Sequence, residues 1–117
     1  MELWLETLRR FLDRQEAEEE QYRATIASRL CLAVEEFVRQ FPAVTFVAVI
    51  GSFCQPSLFR RDSDVDIVVR GLSAAEYFPA LFLLEPILQS PVDLLREEEM
   101  PESLRAHIKD ALVLYAR

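Results

Sequence analysis

Two aspartates one residue apart, Asp64 and Asp66, stand at the head of the apolar run Val65-Asp66-Ile67-Val68-Val69. In an extended strand, alternate side chains share a face, so both carboxylates project the same way, about 7 Å apart at the backbone. Val65, Ile67 and Val69 then point to the opposite face, into the core. Like charges held this close repel unless they are solvated or bridged by a cation. Mg²⁺ takes oxygen ligands of this kind and completes its octahedron with water and substrate phosphates. A third carboxylate, Asp93, lies in the short run Pro91-Val92-Asp93-Leu94-Leu95. If that strand lies beside the first two, three carboxylates on neighbouring strands suit two-metal phosphoryl or nucleotidyl transfer. Gly51-Ser52 follows another apolar run, Val44 to Ile50. Each piece alone also has a plain structural reading: a turn and the solvated face of an edge strand for Asp64 and Asp66, a strand-end carboxylate for Asp93, a strand-to-helix turn for Gly51-Ser52.

The elements that must hold these residues follow from periodicity. Residues 2 to 40 predict helix: apolar residues recur at Trp4, Leu8, Phe11 and Leu12, and again at Tyr22, Ile26, Leu30, Val34, Phe37 and Val38. No glycine or proline interrupts them before Pro42. The acidic stretch from Asp13 to Glu20 between the two apolar sets has no stripe to bury and reads as solvated helix surface. A continuous helix and a pair of helices meeting near that acidic stretch both fit; one long helix is favoured, its second half packed on the core and its first half projecting. The β-branched run at 44–50 predicts a strand buried on both faces, and 64–69 and 91–95 predict two more. Ser73 and Glu76 form a capping-box pattern opening a helix to about Glu85, with Pro79 near its start. Leu104, Ile108, Ala111, Leu112 and Tyr115 share one face of a final predicted helix that Pro101 would open. The order α-β-β-α-β-α describes one α/β (α+β) domain with a small mixed sheet of about three strands flanked by helices. Residues 1–40 would be a helical extension and 41–117 the core.

Composition narrows the chemistry. The chain has 117 residues, 51% of them apolar, with 20 Asp and Glu against 13 Lys and Arg, a net charge of -7. Such a length buries roughly two-thirds of the unfolded surface, enough for one core without disulfides or a structural metal. The acidic balance argues against general nucleic-acid binding, which needs a basic face. Two glycines allow neither a glycine-rich phosphate loop nor a three-glycine dinucleotide fingerprint. One histidine and two cysteines exclude multi-histidine and cysteine-rich zinc sites. Apolar runs fall short of a membrane span, and Glu2 and Glu6 stand where a signal peptide would be basic and then apolar. A cytoplasmic protein with reduced thiols is expected, Cys31 buried on a helix, Cys54 on a loop and His107 on the surface.

Together the motifs say more than they do singly. Gly51-Ser52 after a buried strand, eleven intervening residues, then Asp64-Val65-Asp66-Ile67-Val68-Val69, resembles the DNA polymerase β-type nucleotidyltransferase superfamily. More narrowly the chain resembles the minimal nucleotidyltransferases (MNT proteins), which are little more than that catalytic core. Asp93 in its apolar stretch matches the third family carboxylate, and the stretch from Leu104 to Tyr115 resembles the family's closing helix. The resemblance covers about residues 40 to 117. It implies catalytic and metal-binding roles for Asp64, Asp66 and Asp93: the first two hold the Mg²⁺ that binds the β- and γ-phosphates of ATP, and with Asp93 a second that activates the acceptor hydroxyl. Gly51 lets the backbone approach the phosphates, and Ser52 offers a hydroxyl and turn N–H groups to an anion. Members often carry arginine directly after Gly-Ser. Here Phe53 and Cys54 follow, and the nearest basic residues, Arg60 and Arg61, are the candidates to reach phosphates.

Minimal nucleotidyltransferases are typically antitoxins paired with an all-helical HEPN toxin. The resemblance therefore implies an adenylyltransferase that moves AMP from ATP to a tyrosine of a cognate HEPN ribonuclease toxin (AMPylation). Two alternatives stand beside it: an antitoxin that neutralises its partner by binding alone, and nucleotidyl transfer to a small molecule. The stripe at Trp4, Leu8, Phe11 and Leu12 either folds back on its own domain or forms an interface with a second copy or the toxin.

Overall fold

The computed structural model describes residues 2–55 and 58–117, with side chains from Leu5 onward, so the side chain of Trp4 lies outside the described residues. With no breaker before Pro42, helix α1 runs unbroken over Glu2–Gln40. At 1.5 Å per residue this helix alone is about 58 Å long. It sets the 61 Å long dimension of a molecule only 29 by 22 Å across. The radius of gyration, 16.9 Å, exceeds the roughly 13 Å of a compact chain this size because half of α1 has nothing beneath it. Residues 5–18 are exposed throughout, whereas Ile26, Leu30, Ala33, Val34 and Phe37 are buried. The amino-terminal stripe does not fold back: Leu5, Leu8, Phe11 and Leu12 are 47%, 48%, 54% and 53% exposed.

Three strands form where the β-branched runs predict them: β1 at Phe46–Ile50, β2 at Val65–Arg70 and β3 at Val92–Arg96. Helix α2, Tyr77–Leu88, connects β2 to β3. A 3₁₀ turn at Ala74–Glu76 precedes it, opened by the Ser73–Glu76 capping box. The Ser73 hydroxyl accepts from the Glu76 N–H at 3.3 Å, and the Glu76 carboxylate accepts from the Ser73 N–H at 3.0 Å. Pro79 sits in the first turn of α2, where its missing N–H costs nothing.

The carboxy-terminal segment differs from the sequence expectation. The helix predicted through Tyr115 is confined to α3, Glu102–Arg105, and a 3₁₀ stretch, Ala106–Asp110; strand β4 follows at Leu112–Ala116. β4 pairs antiparallel with β1, with a bulge between Val47 and Ala48. The apolar spacing fitted a helix face, but Leu112-Val113-Leu114-Tyr115 is equally a strand sequence. The unpaired edge of β1 decides between them, since its backbone groups need partners. The sheet therefore has four strands, in the order β3-β2-β1-β4.

β1 and β2 are antiparallel and β2 and β3 parallel. One face of the sheet, bearing Val47, Val49, Val65, Ile67, Val69, Val92 and Leu94, packs with α1 and α2 into the main core. The other face carries a smaller cluster of Ile50, Val68 and Met100, flanked by Leu95, Ile108 and Ala111. Strand parity puts Asp66 and Asp93 on this second, less covered face.

Candidate active site

β1 delivers the chain to the site and Gly51 turns it. Gly51 has φ +78°, and a Cβ there would lie 2.2 Å from the Oδ2 of Asp66. Only glycine satisfies both the left-handed backbone and the contact. The turn continues as a 3₁₀ helix, Gly51–Cys54, with Ser52 half-buried.

Phe53 and Cys54 tie this turn inward. Phe53 is 2% exposed; its ring meets Phe59 edge-on at 5.2 Å, and Phe59 stacks on Tyr22 of α1 at 5.8 Å. Arg23, one residue further along α1, donates from Nε to the Phe53 carbonyl at 2.8 Å, with its guanidinium 4.8 Å from the Phe53 ring centroid. The Cys54 thiol donates to the Val49 carbonyl at 3.2 Å. Tyr22 and Arg23 thus position the Gly51–Cys54 turn. Their role had no local signal, because Arg23 and Phe53 are 30 residues apart. Cys31, expected to be buried, is exposed on α1, one position round from Leu30 and off the core stripe; both cysteines are free thiols. His107 is exposed.

The carboxylates converge from two strands. Asp66 of β2 pairs in register with Asp93 of β3 and, across the antiparallel ladder, with Ile50 just before Gly51. Adjacent strands lie about 4.8 Å apart, so Asp66 and Asp93 are close neighbours on one face. Asp64 precedes β2 by one residue. Asp64 and Asp93 are exposed and Asp66 half-buried. Burial, then the charges of Asp93 and Asp64, push the Asp66 carboxyl up from 3.8 to about 6.

The three carboxylates that follow β3 do have partners. Glu97 takes Arg70 at 2.7 Å, Glu99 takes Arg96, and Glu98 accepts the Gly71 N–H at 2.7 Å. Among the described residues no hydrogen bond or ion pair reaches Asp64, Asp66 or Asp93. Nor is any group of three His, Cys, Asp or Glu side chains among them placed to enclose an ion unaided. Unneutralised oxygen donors on an open face nevertheless suit Mg²⁺, which binds through one or two carboxylates and takes its remaining ligands from water and phosphate.

Arg60 and Arg61 are exposed and turn toward α1. Arg60 donates to its neighbour's carbonyl, Phe59 O, at 3.1 Å and borders a groove against residues 12–20. Arg61 lies over the Tyr22 ring at 5.3 Å. Neither pairs with the three aspartates among the described residues.

Residues 30–115 match the profile of the family described as nucleotidyltransferase domain. A solved toxin–antitoxin with AMP-PNP is similar in fold, with 22% identity over 74% of this chain and 73% of that one and a TM-score of 0.64. So is the complex of a tri-AMPylated Shewanella oneidensis HEPN toxin with an MNT antitoxin, at 16% identity, 85% and 73% coverage and TM-score 0.56. A putative nucleotidyltransferase from Sulfolobus solfataricus aligns at 21% identity over 85% of this chain and 87% of that one, TM-score 0.56. No curated protein matches.

Proposed function

The chain belongs to the nucleotidyltransferase domain family, and from that premise we propose that it is an Mg²⁺-dependent protein adenylyltransferase, an antitoxin that moves AMP from ATP to a tyrosine hydroxyl of a cognate HEPN-type toxin. The observation that carries this reading is the group of carboxylates left without partners, with Asp66 seated against Gly51 and beside Asp93. Two of the proteins similar in fold support it: one was solved with AMP-PNP, and the other is an MNT antitoxin with an AMPylated HEPN toxin.

In the reaction the acceptor oxygen attacks the α-phosphorus of ATP. The bond from that phosphorus to the bridging oxygen of the β-phosphate breaks, and pyrophosphate leaves. Asp64, Asp66 and Asp93 are the residues that would hold Mg²⁺. When bound, the ion supplies charge neutralisation for the triphosphate and acidifies the acceptor hydroxyl. Asp93, exposed on the edge strand, would take the hydroxyl proton on its way to solvent. Gly51 admits the phosphates next to Asp66, and Ser52 offers its hydroxyl and turn N–H groups to them. Tyr22 and Arg23 hold that turn still, so positioning is established before the nucleotide arrives.

A second reading, neutralisation by binding alone, is favoured by one observation. Buried Phe53 occupies the position after Gly51-Ser52, and neither Arg60 nor Arg61 pairs near the carboxylates. The two readings separate on reversibility. After incubation with ATP and Mg²⁺ and removal of this protein, an adenylylated toxin stays inactive, whereas a sterically covered one regains activity.

A further inference from the structure

Leu5, Leu8, Leu12 and Gln15 form one seam along α1, three and four residues apart, on the side of the helix that Ile26 and Leu30 bury in the core further along. Nothing covers this seam among the described residues. Its three leucines are about half exposed, and Glu19 is the first residue of α1 past Leu5 to be half-buried. Phe11, 54% exposed, flanks the seam on one side, and Arg9 and Glu16 flank it on the other. Both charges are exposed, and neither has a hydrogen bond or ion pair among the described residues.

Arg9 and Glu16 are opposite in sign and one heptad apart on the same flank of the seam. An antiparallel pair of identical helices sets like flank against like flank about a two-fold axis. Leu8 then packs on Leu12 of the second copy and Leu12 on its Leu8, while Phe11 faces Phe11 near the axis. Arg9 of each copy lies opposite Glu16 of the other, so the charge contact is made twice. A parallel pair would set Glu16 against Phe11 and leave both charges unmatched. The arm also has the length for it. With Leu8 opposite Leu12, Leu5 meets Gln15, four residues short of Glu19, where the helix first meets its own domain. A groove of about 860 Å³ between Arg60 and residues 12–20 leaves room there for the partner's arm.

We propose that this arm pairs antiparallel with the arm of a second copy of the chain, giving a two-fold dimer. The two helices meet over about three turns, at the low end of interface size, so the dimer is reversible. Its two carboxylate sites stay open, because Asp66 and Asp93 lie on the sheet face opposite the one that packs on α1. Pairing of this kind is independent of adenylyl transfer, and the failure of either leaves the other standing.

With no toxin or nucleotide present, sedimentation equilibrium of the full chain should show a monomer–dimer equilibrium. Leu8→Asp should raise the dimer dissociation constant about tenfold or more, since each copy loses an apolar contact and gains a charge in the seam. Arg9→Glu and Glu16→Arg should each weaken the dimer about fivefold, and the double variant should return to within about twofold of the unsubstituted chain. All three positions are exposed and outside the core, and far-ultraviolet circular dichroism checks that the variants keep their helix. A chain that stays monomeric, single variants that leave the dimer intact, or a double variant no tighter than the singles overturns the proposal. So does an arm that serves the toxin alone: the free chain is then monomeric, and Leu8→Asp lowers its affinity for the HEPN-type toxin.

Discussion

Replacing Asp66 by asparagine tests whether the carboxylate cluster is strained in the absence of a cation. The Asp66 carboxyl is pushed up from 3.8 to about 6, first by burial and then by Asp93 and Asp64. A pKa raised in the folded state means that the contribution to stability is fully present below about pH 3.8. It is lost as pH rises through about 6, where the folded protein must accept the charge. At about 1.36 kcal/mol per unit the shift is worth at most ~3 kcal/mol. Asp66 is only half-buried, and solvent screening brings this to about 1–2 kcal/mol. Asparagine keeps the shape and never ionises. Asp66→Asn should therefore match the unsubstituted protein at pH 4 or below and exceed it by ~1–2 kcal/mol at pH 7.5. Urea titrations of both proteins across that range measure the difference directly, because every other titrating group is shared. A difference that does not change with pH, or a variant less stable at pH 7.5, would refute the claim that charge repulsion destabilises this face.

Other consequences are as specific. Gly51→Ala forces a Cβ to 2.2 Å from Asp66 Oδ2 at φ +78° and should cost about 1–3 kcal/mol in thermal or urea unfolding while weakening ATP binding. Arg23→Ala removes the hydrogen bond to the Phe53 carbonyl and the cation over its ring. It should cost ~1–2 kcal/mol and lower kcat more than it alters toxin affinity, with partial recovery in Arg23→Lys. Deleting residues 1–15 removes only exposed side chains among those described. The shortened chain should keep its melting temperature within a few degrees and still bind nucleotide, while its association with a second copy or with the toxin weakens in sedimentation. Loss of cooperative melting would instead place that stripe in the core.

The legible parts of this fold were those with dense local signals. Nothing breaks the helix before Pro42, so the extent of α1 was readable to within a residue or two, although the acidic stretch also admitted two helices. Val44 to Ile50 and Asp64 to Val69 could be little other than strands, and alternation alone placed Asp64 and Asp66 on one face. The Ser73–Glu76 box marked the approach to α2. Less legible were features fixed at a distance. The adjacency of Asp66 and Asp93 depends on β2 and β3 pairing in parallel across α2, which spacing permits but does not require. The final segment was misread because its apolar residues satisfy helix and strand periods alike, and only the free edge of β1 separates them. Arg23 and Tyr22 gave no hint of their hold on the Gly51 turn, since a cation over a ring and a bond to a remote carbonyl leave no mark in local sequence. Cys31 looked buried because it adjoins Leu30, yet one helical step of about 100° carries it to the exposed side.

The central claim is that Asp64, Asp66 and Asp93 serve adenylyl transfer to a protein hydroxyl. Intact-mass measurement of the cognate toxin after incubation with this protein, ATP and Mg²⁺ tests it most directly, run in parallel with the Asp64→Asn, Asp66→Asn double variant. The account predicts a gain of one AMP mass, or a small multiple, with the unsubstituted protein and none with the double variant, although both bind the toxin. An unmodified toxin in both reactions, or equal modification in both, would contradict it.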